Sequence, residues 1–128
     1  MIRSVITSLA GGLLLVSLAA CSHMATNSLE SSDYVGAWKV TDTKGEPFFI
    51  QFDADGTAKS TWGKGESGSW QLVDGSARVV WSTGWTDVLS RDGQRYTKSA
   101  YRPGNSPPAS PANTGPAERV AGIPHAHH

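Results

Sequence analysis

The sequence predicts an all-β fold: a small antiparallel up-and-down meander of about seven strands, closed or nearly closed into a barrel, with a disordered C-terminal tail. Three observations carry this. Every Trp, Tyr and Phe falls between residues 34 and 103, so the core material is concentrated in one segment of about 70 residues, near the lower size limit for a single core. Turn signals punctuate that segment at the spacing of an all-β meander. They are Lys44-Gly45, Asp55-Gly56, Gly63-Lys64-Gly65, Asp74-Gly75, Thr83-Gly84 and Asp92-Gly93; Asp-Gly suits tight hairpins because it tolerates positive φ. Between the turns apolar residues alternate, and no stretch keeps a 3.6-residue period long enough for a helix.

Taken in order, the strands fit residues 35–41, 48–53, 57–62, 68–73, 77–82, 85–90 and 95–102. Period-two alternation assigns the inner faces. Trp38 and Val40 share a face in the first strand, and Phe48, Ile50 and Phe52 in the second. Ala58 and Trp62 follow in the third, Trp70 and Leu72 in the fourth, and Ala77, Val79 and Trp81 in the fifth. The sixth is ambiguous, since Val88 and Leu89 oppose each other and Asp87 shares the face of Leu89. The seventh puts Tyr96 and Ala100 on one face and Tyr101 on the other. Closure is preferred because it removes both exposed edges. A barrel of seven short strands filled by Trp and Phe leaves little room inside, which favours a partner on the outer surface over an internal ligand. Gly36-Ala37-Trp38 and Gly68-Ser69-Trp70 form a faint repeat; a Gly two places before each Trp leaves room on the inner face.

Residues 104–128 are rich in Pro, Ala, Gly and Asn and hold no aromatic residue. Such a segment buries too little apolar area to offset its chain entropy, so it is expected to be disordered. Residues 21–33 are small and polar and read as a flexible tether.

Residues 1–20 have the layout of a secretory signal: one basic residue, Arg3, then an uncharged apolar run from Val5 to Ala20. The run is short for a membrane span, which needs about 20 apolar residues. It ends in Leu18-Ala19-Ala20-Cys21, which resembles the lipobox of bacterial lipoproteins. The resemblance implies cleavage before Cys21 and lipidation of its thiol, usually with acylation of the freed amine. Two or more acyl chains make a stable anchor, whereas one binds marginally. Ser22 in place of an Asp implies, by the sorting rule of that family, the outer membrane facing the periplasm. Cys21 is the only cysteine, so an intrachain disulfide is excluded. Lys plus Arg equal Asp plus Glu, at 11 each, which gives no electrostatic reason to expect nucleic acid as a partner.

Gly36-Ala37-Trp38 also resembles the Gly-x-Trp opening of lipocalins and other calycins, in which the Trp closes one end of the barrel. The wider pattern resembles small secreted bacterial β domains of unassigned function.

The chemistry-bearing residues point away from catalysis. Residues 34–103 contain no His and no Cys, which removes the usual nucleophile–base pairs and most zinc sites. Asp53-Ala54-Asp55-Gly56-Thr57 has part of a calcium-loop pattern but lacks the distal Glu, so it reads as a turn. His125, His127 and His128 have the spacing of a loose metal site, against a tail of no consequence, which is the preferred reading. No enzyme activity, cofactor or metal is expected. Trp85, beside the Gly84 turn, and Tyr101, on an outer face, are the candidate partner contacts. The expected function is an envelope-anchored binding module, attached to the membrane through Cys21, for an envelope protein, a glycan or a small apolar ligand. The alternatives are an inhibitor of a periplasmic protease or lysozyme, and a structural envelope component.

Overall fold

The computed structural model describes residues 30–124. The signal segment, Cys21 and the His125, His127 and His128 cluster lie outside the described residues. Among those described, a one-turn 3₁₀ helix, Ser31–Asp33, precedes eight strands. These are β1 Gly36–Thr41, β2 Pro47–Phe52, β3 Thr57–Ser60, β4 Glu66–Val73, β5 Ser76–Trp81, β6 Thr86–Asp92, β7 Arg95–Tyr101 and β8 Asn113–Val120. Each pairs antiparallel with the next, and β8 returns to β1, so the meander closes as an up-and-down barrel. The turn chemistry is as expected: Gly56, Gly75 and Gly93 all adopt positive φ at hairpins.

The tail reading is corrected. Within 104–128, residues Asn113–Val120 form β8, pairing with β7 from Tyr96↔Ala117 to Ala100↔Asn113 and with β1 from Ala37↔Val120 to Lys39↔Glu118. The strands therefore number eight, against about seven expected. Apolar burial does not explain this strand, since only its Ala117 is buried. What it supplies is backbone hydrogen bonding to two edges that would otherwise be open.

The inner face packs Trp38, Val40, Ile50, Phe52, Trp70, Val79, Trp81 and Leu89 into one cluster. The three buried indole N–H groups all donate: Trp38 to the Tyr34 carbonyl at 3.0 Å, Trp70 to the Asp53 carbonyl at 2.8 Å, and Trp81 to Asp87 Oδ2 at 2.9 Å. Gly68 earns its place as the repeat suggested, because it sits opposite Trp81 in the register. A Cβ there would meet the Trp81 ring at 2.9 Å.

One face assignment and one exposure are also corrected. Trp62 is not inside. Strand β3 ends at Ser60, which takes the inner position, and Trp62 stands in the following turn, 44% exposed. The Ser60 hydroxyl accepts the Trp62 N–H at 3.2 Å and donates to Glu66 Oε1 at 3.0 Å, turning the chain two residues early. Tyr101 does lie on the outer face of β7, opposite Thr86 in the register. Yet that patch is covered: Tyr101, Thr86 and Val88 are all buried, so Tyr101 is not an available contact. The ambiguity in β6 resolves with Asp87 and Leu89 inward, opposite Val79 and Ala77.

Candidate functional site at the barrel mouth

The two ends of the barrel differ. One end is sealed by aromatic rings and an arginine. Tyr34, fully buried, donates its hydroxyl to the Gly75 carbonyl at 2.8 Å and meets Tyr96 edge-on at 6.0 Å. Burial pushes its phenol up to about 12, which keeps it a neutral donor. Trp38 packs on Tyr96 at 4.7 Å, and the Arg119 guanidinium lies over the Trp38 ring at 4.3 Å. Arg119 also donates to the Val35 carbonyl at 2.9 Å and to the Asp33 carbonyl. One side chain of β8 thus fastens the entry to β1.

The other end is open. The β1–β2, β3–β4 and β5–β6 turns and the end of β7 surround a cavity of about 60 Å³. Its apolar walls are Phe48, Trp62, Trp81 and Trp85. Trp62 is the exposed member. Trp85 is half-buried, with the Arg102 guanidinium 5.6 Å from its ring. The structure therefore brings one proposed contact residue, Trp85, to this mouth and leaves the other, Tyr101, buried elsewhere.

Charged groups line the same cavity. Lys98 is 2% exposed and Asp87 5%; they sit on neighbouring strands, with Nζ 3.8 Å from Asp87 Oδ1. Asp87 Oδ2 is held by the Trp81 indole. The Lys98 ammonium also lies over the Phe48 ring at 4.9 Å. At 3.8 Å the pair attracts but does not hydrogen-bond, and no other described residue accepts from Lys98 Nζ. Burial lowers the lysine, opposed by the nearby carboxylates of Asp87, Asp42 and Glu66. Burial raises Asp87, opposed by Lys98 and by the Trp81 hydrogen bond.

Glu66 is half-buried at the rim and accepts from Ser60 and, at Oε2, from Thr83 at 3.1 Å. Burial raises its carboxyl above the ordinary 4.5, against those two hydrogen bonds. An acid raised in the folded state stabilises the fold fully below its unfolded value, and that contribution is lost as pH rises through the folded value. Glu66→Gln should therefore melt above the parent at pH 7, and the gap should close as pH falls below about 4.5, in thermal melts from pH 3 to 8.

Sequence reasoning missed Lys98 and Glu66. The signal for Lys98 was present, because alternation places it between Tyr96 and Ala100 on the inner face. Glu66 fell in a segment read as turn. Asp53–Thr57 forms the β2–β3 turn, with Asp55 Oδ1 accepting both the amide and the hydroxyl of Thr57. Among the described residues no group of three or more His, Cys, Asp or Glu is arranged to hold a metal, and no helix is long and apolar enough to cross a membrane. No protein-family profile, curated protein or solved structure matches this chain.

Proposed function

We propose that this chain is a lipid-anchored bacterial envelope lipoprotein whose barrel is a binding module without catalytic chemistry, and that it engages its partner at the open mouth. The mouth supports this reading. The opposite end is closed by packed aromatic rings, and its charged group, Arg119, lies over the Trp38 ring with backbone carbonyls as its partners. At the mouth a buried Lys–Asp pair lines a cavity walled by tryptophans. Burying such a pair costs several kcal/mol per ion before their attraction offsets it. At about 60 Å³ the cavity is far below the 300–1,000 Å³ of a typical small-molecule site. It has room for a few atoms, so it admits the tip of a larger partner. The charges inside argue against an apolar ligand. The anchor rests on Leu18-Ala19-Ala20-Cys21.

The test uses the full chain in a non-glycosidic detergent, immobilised and exposed to envelope extract. Material retained by the parent should be lost with Trp62→Ala, which alters only an exposed side chain at the rim. Equal retention by the two proteins would remove the mouth from the reading. Separately, Cys21→Ser should abolish acyl labelling and leave an uncleaved precursor; cleavage after Ala20 in that variant would sink the lipoprotein assignment.

A further inference from the structure

We infer that the mouth takes a terminal saccharide ring, recognised through its hydroxyl groups; this rests on the mouth-binding reading above. The argument starts from what the lining groups lack. Lys98 is a pure donor on a buried residue that lines the cavity, and its nearest carboxylate, Asp87, stands at 3.8 Å, beyond hydrogen-bond distance. Asp42, Glu66 and Asp87, in the same lining, are acceptors when ionised. An occupant must therefore accept from one side and donate to the other, within a space a few atoms across.

Charge narrows the class. An anion would satisfy Lys98 but face three carboxyl groups. A cation would satisfy the carboxylates but meet the Lys98 ammonium, already placed between Asp87 and the Phe48 ring. A hydroxyl group is neutral and both donates and accepts. Adjacent hydroxyls on one ring can receive from Lys98 and give to a carboxylate together. The walls fit the rest of such a ring, because its C–H face is apolar and packs on an indole, and Trp62, Trp81 and Trp85 all border the opening. Thr43 and Thr83 at the rim add hydroxyls that serve either role. The cavity accommodates one edge of the ring, leaving the remainder at the rim against Trp62.

The test is an NMR titration of the ¹⁵N-labelled full chain in the same detergent, reading the indole N–H signals. The probes are glucose, galactose, N-acetylglucosamine, chitotriose, butylammonium chloride and sodium butyrate at matched ionic strength. At least one sugar should move the Trp62, Trp81 and Trp85 signals saturably, while both ions leave them in place. Trp62→Ala, at an exposed position, should weaken sugar binding about tenfold, the scale of one lost contact of about 1.4 kcal/mol. Lys98→Met should weaken it at least as much, provided its spectrum stays folded. If chitotriose binds as well as N-acetylglucosamine, the source is a glycan end; if only monosaccharides bind, it is free sugar. Saturable shifts from either ion without the sugars would overturn the hydroxyl assignment and leave the mouth as the binding site. Silence from every probe would overturn it too. The mouth reading falls with it only if envelope material is also retained equally by the parent and Trp62→Ala.

Discussion

Deleting residues 104–128 should unfold the protein. The deletion removes β8, and with it both closing seams of the barrel. The backbone edges of β1 and β7 would then be open to solvent and to other chains. Trp38 would lose the Arg119 guanidinium above its ring, and the carbonyls of Val35 and Asp33 would lose their donor. A domain this small holds only ~5–15 kcal/mol in total, less than a lost strand and an exposed tryptophan remove. Circular dichroism should show no cooperative melt for the truncated chain. Arg119→Ala is the graded comparison. It keeps the strand and its pairing, so it should retain one cooperative transition at a lower temperature. A truncated chain that melted like the parent would mean that β8 is dispensable to the barrel.

The second large effect is expected at the buried pair. Asp87→Ala leaves Lys98 inside without its counter-charge and frees the Trp81 indole N–H. Breaking a buried pair from one side costs ~3–5 kcal/mol, whereas replacing both partners with apolar groups is often neutral or stabilising. Asp87→Ala alone should therefore be close to unfolded. The double variant Asp87→Ala with Lys98→Met should recover most of the loss, short of the orphaned indole. Urea denaturation of the four proteins of this cycle measures the coupling. If the double variant is as unstable as the sum of the single changes, the two charges do not act as a pair, and the electrostatic description of the mouth is wrong.

The parts of this fold that were legible share one property: they are written in local chemistry. Asp55-Gly56, Asp74-Gly75 and Asp92-Gly93 mark hairpins because those positions need positive φ. Phe48, Ile50 and Phe52 mark an inner face because a strand has a period of two. Strand β8 lacked such a mark. Asn113-Thr114-Gly115-Pro116-Ala117-Glu118-Arg119-Val120 has almost nothing to bury, and its role is to satisfy edges made elsewhere, a requirement visible only once the other strands are arranged. Trp62 was misread because alternation was carried two residues past the point where Ser60 ends the strand. The mouth was legible in part. Alternation places Asp87 and Lys98 inside, but inward charges are tolerable only as a pair, and their pairing is a diagonal across β6 and β7. Asp87 stands opposite Ala100, two residues from Lys98, and such diagonal neighbours come within reach of long side chains. That register is a property of the whole sheet and cannot be read from either strand alone.

The sealed end has a directional consequence. Chain entry through Ser31–Asp33 and the clasp of Arg119 occupy the same pole, whereas Trp62, Glu66 and Lys98 occupy the opposite one. On the proposed anchor, the lipid on Cys21 joins the barrel at its closed pole through a leader of residues 21–30, which spans at most about 35 Å when extended. The attachment then leaves the barrel at the pole away from the mouth. A module held at that pole keeps its attachment point clear of its opening, so anchoring and binding at the mouth make separate demands on the chain.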